Sequence, residues 1–273
     1  LAALGKQATA VVHLAWHPEG RHNLAVLQNV LDAAEAIEPL QLVHLSSATV
    51  YGAWPDNPVP ISEEVEPRPN PQFLYAVEKR EAELLVERWG RDHPEVSLAV
   101  LRPACTVGSP GHPLYQTLAR NKRPLVGADG RVVQYLHVDD LASAVVHAFS
   151  QELSGTFNVA PDAGIREELA GTLTGGPAAL PLLAALGSRL RRRGAPVGAR
   201  PYAEHSWAVA GDRLRQTGWQ PEYTSEQALV VSDAKRHWDE LPQGRRVSVV
   251  LSTAGVTLAA AGAATVLWWR RRR

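Results

Sequence analysis

The strongest constraint on this chain is an alternation of short β-rich segments with longer segments of helical period. "ATAVVHLA" (8–15) reads as a buried strand. "NLAVLQNVLDAAEAI" (23–37) has apolar residues at 24, 27, 30, 31, 34 and 37, which is helical spacing, and Pro39 closes it. "LQLVHLSS" (40–47) is a second strand, 73–89 a second helix, and "VSLAVLRP" (96–103) a third strand. Strands separated by helices of this length pair in parallel through right-handed crossovers. The fold class that follows is α/β, a parallel sheet with helices on both faces. Farther on, 137–150 reads as a helix opened by acidic residues and 155–161 as a strand. Residues 211–229 read as a short helix, a turn and another helix, forming part of a small C-terminal substrate lobe. The segment 52–71 carries six prolines and reads as an ordered loop.

Composition narrows the function classes. The 273 residues are 45% apolar, enough for one large domain, placed here at residues 1–240. Formal net charge is zero, so no global field points to nucleic acid. A single cysteine, Cys105, excludes an intrachain disulfide and a cysteine-rich zinc site, and it fits a reducing compartment. Ten histidines are scattered without the i, i+4 helical pairing of zinc sites, so no metal is expected.

The C-terminal end differs in kind. Residues 241–246 read as a linker. Val247 to Trp269 carry no charge, and at 1.5 Å per residue they span roughly 35 Å, enough for a hydrocarbon core. Arginines flank the stretch, 270–273 forming a basic tail, and Trp268 and Trp269 stand where an interfacial belt would lie. The expectation is a C-terminal hydrophobic helix that crosses the membrane, or lies in its interface. The chain starts at Leu1 and contains no methionine, as a fragment or a misplaced start would.

Chemistry concentrates around "FLYAVEKREAELL" (73–85). Tyr75 and Lys79 share a face at the start of a helix, and alone they do not separate a catalytic pair from a solvated aromatic beside a charge. Ligands in parallel sheets sit beyond the carboxyl ends of the strands. Ser46 and Ser47 end the second strand, so Ser47, Tyr75 and Lys79 converge from separate segments.

The ordered motifs "VVHLA", "VHLSSATVYG", "LYAVEK", "VLRPACTVG", "LHVDDLASAVVHA" and "GTFNVA" resemble those of the extended short-chain dehydrogenase/reductases, the NAD-dependent epimerase/dehydratase family. The resemblance runs over roughly residues 9–235 and implies a partial Rossmann-like fold. It implies that Tyr75 is the catalytic acid/base, that Lys79 is its partner and holds the nicotinamide ribose, and that Ser47 hydrogen-bonds the reacting oxygen. The nearby ammonium is expected to favour the phenolate. Pro103, Ala104 and Cys105 would line the nicotinamide and substrate pocket, and Asn23, grouped with the cofactor-binding residues, would stand near the helix asparagine that many members use to hold a structural water. Cys105 departs from the asparagine of many sugar-nucleotide members. His137, Asp139 and Asp140 match a structural motif.

The implied activity is NAD- or NADP-dependent oxidoreduction or epimerisation at an alcohol or ketone of a sugar or sugar-nucleotide. One alternative is a membrane-bound enzyme of hydroxysteroid-dehydrogenase type acting on a lipid or sterol. Another is a non-catalytic binding or scaffold protein on the same fold. The family's glycine-rich pyrophosphate turn is not found in this sequence, whose first strand resembles the family's fourth, so weak cofactor binding by the isolated chain is expected. The expected partners are a small-molecule substrate and a membrane, with a homodimer allowed. The expected location is membrane-anchored, the catalytic domain facing the cytoplasm.

Overall fold

The computed structural model describes residues 8–17, 22–108, 131–173 and 197–240. The first half alternates as expected: β1 (Ala10–His13), α1 (Asn23–Ile37), β2 (Gln41–Leu45), α2 (Leu74–Asp92) and β3 (Ser97–Pro103). Short strands follow at β4 (Cys105–Val107), β5 (Val132–Val133) and β6 (Tyr135–His137). Then come α3 (Val138–Ser150), β7 (Gly155–Val159), β8 (Ile165–Arg166) and α4 (Glu167–Leu173). The last elements are α5 (Arg200–Glu204), α6 (Asp212–Gln216) and α7 (Ser225–Glu240). The main sheet has the order β1-β2-β3-β7, every pairing parallel. Smaller sheets join β4 to β6 in parallel and β5 to β8 antiparallel.

Side-chain alternation along the strands assigns the layers. Leu42 and Val100 share a core with Leu27, Leu31 and Ala34 of α1 and with Ala82, Val86 and Trp89 of α2. Val43, Ala99 and Leu101 turn the other way and pack with Ala144, Val145 and Ala148 of α3. Helices therefore cover both faces of the sheet, as the near-continuous apolar strands require. Gln41 follows the same parity, donating a 2.8 Å hydrogen bond to the Ala148 carbonyl of α3.

A buried ion pair crosses the α2 face. Arg102, near the end of β3, forks onto Glu83 in the middle of α2, with Nε to Oε1 at 2.9 Å and Nη2 to Oε2 at 2.8 Å. Its remaining arm donates to the Tyr51 hydroxyl at 2.9 Å, and Tyr51 donates in turn to Asn158 of β7 at 2.9 Å. Glu83 is fully buried and Arg102 nearly so. This network fixes α2 against two strands at once.

The chain divides into two units, Leu1–Ser232 and Asp233–Arg273, with the boundary inside α7. The sheets belong to the first unit. The expected linker (241–246), membrane helix (247–269) and basic tail (270–273) lie outside the described residues. Among the described residues, no helix is long and apolar enough to cross a membrane.

Removing one member of a buried ion pair strands the other charge. Glu83→Ala is expected to cost about 3–5 kcal/mol in a urea titration, while the double change Glu83→Leu with Arg102→Met costs much less.

Candidate active site

The carboxyl end of β2 leads directly into the site. Ser47 is extended (φ −160°) and caps a one-turn 3-10 helix at Ala48–Tyr51. Its Oγ accepts from the Thr49 backbone N–H at 3.2 Å and from the Thr49 hydroxyl at 2.9 Å, which sets the serine rotamer. Gly52 closes that turn with φ +72°, and a Cβ there would lie 2.3 Å from the Arg68 carbonyl oxygen. The neighbouring Ser46 Oγ is buried and has no protein partner. An orphaned hydroxyl beside Ser47 suits a polar ligand group at this strand end.

The first two turns of α2 deliver the other groups. Tyr75 shares a side-chain hydrogen bond with Ser47. Burial pushes its pKa well above the usual phenol range; the Ser47 bond opposes that rise, and nearby Cys105 adds to it. Lys79 is 3% exposed. Its ammonium donates to the Leu45 carbonyl at 2.7 Å and lies 3.8 Å above the Trp16 ring centre. Burial lowers its pKa to about 7, against a smaller opposing pull from Glu83.

These values correct one expectation. The phenol is not shifted toward phenolate by the ammonium, because burial outweighs the other influences on Tyr75. The resting pair is a neutral phenol beside an amine that titrates near neutrality.

Two histidines complete the floor. His13 and His44 are opposite one another in the β1–β2 register and stack at 5.3 Å, with their Nδ1 atoms 3.2 Å apart. Burial first, then the Lys79 charge, lowers the pKa of both, His44 the more strongly. Both are neutral at neutral pH, so they add no positive charge beneath Lys79.

The remaining expected residues divide into two groups. Ala104 and Cys105 line a cleft, and Cys105 is near enough to Tyr75 to influence its ionisation. Pro103 ends β3 in register with Val159. Asn23 opens α1 and turns toward the preceding loop, accepting from the His17 N–H at 2.8 Å and donating to its carbonyl at 3.0 Å. A longer 3.4 Å contact reaches Glu78 of α2. Asn23 thus ties the β1 loop to the helix that carries Tyr75. His137 caps α3, its Nδ1 accepting from the Asp139 N–H, and Asp140 accepts from the backbone of Glu222 and Tyr223. These contacts hold the start of α3 and the Glu222–Tyr223 backbone.

Sequence reasoning missed Trp16. Its face meets Lys79, and its ring stands nearly perpendicular to the Tyr75 ring with centres 6.3 Å apart, so it joins the two catalytic candidates. A lone tryptophan after a strand carries no periodic signal. Its position one residue beyond "VVHLA" was the available clue.

The model of the NAD dependent epimerase/dehydratase family matches residues 3–160, more than half of the chain. The chain belongs to the NAD-dependent epimerase/dehydratase family. Protein y4nG of Sinorhizobium fredii is 32% identical over 154 residues, 54% of this chain and 37% of that protein. A probable UDP-glucuronate 4-epimerase of Rhizobium meliloti is 27% identical over 146 residues, 51% of this chain and 42% of that one. This family member therefore spans about two fifths of the length of the curated relatives it matches. A crystal structure of UDP-galactose 4-epimerase shares the fold with a TM-score of 0.62 at 22% identity, covering 85% of this chain and 79% of that one. The Thermus thermophilus UDP-glucose 4-epimerase in complex with NAD gives 0.61 at 21% identity, over 84% and 77%.

The Lys79 environment makes stability depend on pH. The folded pKa of about 7 lies below the ordinary 10.5, so at intermediate pH the unfolded chain binds the extra proton. Stability should therefore rise with pH from about 7 to about 10, where tyrosine ionisation in the unfolded chain begins to oppose it. Urea titrations of the wild type across this range should show the rise, and Lys79→Met should flatten it.

Proposed function

We propose that the site carries out NAD- or NADP-dependent oxidoreduction at a secondary alcohol or ketone, with Tyr75 as the proton-handling group. The observation that carries this reading is the hydrogen bond between Ser47 and Tyr75 at the carboxyl end of β2, with the Lys79 amine one helical turn on and held by the Leu45 carbonyl of that strand. The cofactor, when bound, supplies or accepts the hydride. Tyr75, Lys79, Pro103, Ala104, Cys105 and the Asn23 region are the residues that would hold its nicotinamide end.

In the reducing direction, the neutral Tyr75 phenol donates a proton to the carbonyl oxygen while hydride reaches the carbon. Ser47 donates a hydrogen bond to that same oxygen and orients it. A protonated phenol is the correct form for this step, and burial keeps it protonated. In the oxidising direction the phenol must first give up its own proton, which the neutral form of Lys79, with a pKa of about 7, would take; the resulting phenolate, stabilised by that ammonium, then takes the alcohol proton. An epimerase returns the hydride to the opposite face of the same carbon.

The family and its relatives point to a sugar or sugar-nucleotide as substrate class. The lipid or sterol alternative draws on the apolar lining of the cleft at Cys105, made by Ala104, Val132, Val133 and Trp207. Residues 247–269 would then anchor the enzyme to the membrane, with the catalytic domain facing the cytoplasm, where nicotinamide cofactors are found.

The test is turnover of NADH or NADPH with a panel of ketones. Tyr75→Phe is expected to lower turnover by about 10²–10⁴-fold with the urea midpoint preserved. Unchanged turnover in a folded Tyr75→Phe chain would remove the phenol from the chemistry.

A further inference from the structure

A lysine as deeply buried as Lys79 ordinarily has a carboxylate bonded to it. Among the described residues none is. Glu83, one helical turn on, is engaged by Arg102 at 2.8 and 2.9 Å and by Arg80 at 3.1 Å. A backbone carbonyl and an indole meet the ammonium instead. The Leu45 carbonyl accepts from Nζ at 2.7 Å, and the Trp16 ring centre lies 3.8 Å from Nζ. That approach is well inside the reach of about 6 Å over which an aromatic face attracts a cation. Both partners offer negative potential where water would otherwise stand.

Trp16 lies in the loop after β1, and that loop is pinned beside it. Asn23 accepts from the His17 N–H at 2.8 Å and donates to the His17 carbonyl at 3.0 Å, so both backbone polar groups of the next residue are held. The half-buried indole packs against the apolar cluster that α1 and α2 share. Its ring stands at 84° to that of Tyr75. Phe73 also meets Tyr75, at 5.7 Å between ring centres, and Phe73 meets Tyr202 at 5.0 Å, so aromatic rings seat the phenol. The titratable groups around the amine are Tyr75 and Glu83 on α2, His13 on β1 and His44 on β2, with Cys105 close to Tyr75. The two imidazoles are neutral and oppose a positive charge, and the Glu83 charge is shared with Arg102.

We propose that Trp16 is the positioning residue of the acid/base pair: its indole face holds the Lys79 ammonium in place, and Asn23 holds Trp16 through the His17 backbone. The role deepens the hydride-transfer reading and rests on it for its part in the reaction. In the oxidising direction the O–H bond of Tyr75 breaks, its electron pair stays on the phenolate, and the proton forms a new N–H bond at Lys79 Nζ. The aromatic face attracts the ammonium and gains little from the neutral amine, so it favours this transfer. In the reducing direction the phenol protonates the substrate oxygen, and the ammonium then returns a proton to Tyr75. An aliphatic side chain in the place of Trp16 excludes water as well but gives no such bias.

The experiment is carbon-13 NMR of the full chain labelled at lysine Cε and followed across pH, with Lys79→Met separating Lys79 from Lys6, Lys122 and Lys235. Trp16→Leu keeps apolar cover over the amine and removes the aromatic face, so the proton affinity of Lys79 is expected to fall about tenfold or more. Trp16→Phe should restore most of it. Trp16→Met removes the same face with a longer side chain and gives the answer if Trp16→Leu does not fold. Asn23→Ala should move Lys79 in the same direction and add little to Trp16→Leu, because both act through one contact. A Lys79 titration that stays put or moves upward in the folded variants overturns the proposal; an upward shift is the mark of a ring that only keeps water out. Turnover of NADH with the ketone panel separates this claim from the one beneath it. A downward Lys79 shift together with unchanged turnover in Tyr75→Phe sinks the hydride-transfer reading and leaves the seat of Lys79 standing. Lost turnover in Tyr75→Phe with an unmoved Lys79 does the reverse. Where both hold, the pH profile of turnover in Trp16→Leu moves with the Lys79 titration, and a profile that does not move removes Trp16 from the reaction.

Discussion

The buried pair between Glu83 and Arg102 governs the geometry of the site. Glu83 lies one helical turn beyond Lys79, and Lys79 one turn beyond Tyr75, so all three share a face of α2. Once Arg102 fixes that face against β3, the rotation of α2 is set, and with it the approach of Tyr75 to Ser47. The network also reaches Tyr51 and Asn158. Because Tyr51 belongs to the turn that follows Ser47, the same polar cluster holds the helix and the serine loop. Burying a full ion pair contributes little net stability, but it fixes one arrangement among several of similar apolar burial.

The electrostatic character of the site follows from that seating. Lys79 is driven into the protein between Leu45 and Trp16, where its charge costs solvation and its proton is loosely held. The neighbouring His13–His44 stack stays neutral because the same burial, and the same ammonium, disfavour a second positive charge. Glu83 acts in the opposite sense on Lys79, so the clamp that orients the helix also moderates its amine. Tyr75 remains a proton donor through burial, independent of a persistent charge next to it.

Much of this architecture was legible in the sequence. Helical periodicity marked α1 at its observed ends, Asn23 and Ile37, and the apolar runs located β1, β2, β3 and β7 within two residues at each end. These elements repeat a pattern over many residues, so local chemistry specifies them. The short strands β4, β5, β6 and β8 left no such trace. Pairs such as Val132–Val133 become strands through partners distant in sequence. Ser47, Tyr75 and Lys79 were found because a motif fixes their spacing. Trp16, Arg102 and Tyr202 were not, since each acquires its role from a residue that only folding brings near. The neutrality of Tyr75 was likewise hidden, because proximity to a lysine is written in the sequence and depth of burial is not.

The most direct measurement of the account is the ionisation of Tyr75 itself. Carbon-13 NMR of the full chain labelled at tyrosine, with Tyr75→Phe supplying the assignment, follows that phenol alone. A ring seated against Ser47 by the Glu83–Arg102 clamp stays protonated through the range near pH 10 where exposed tyrosines lose their proton. A Tyr75 signal that titrates at or below that ordinary value would mean the phenol is solvated or charge-stabilised, and the seating described here would be wrong.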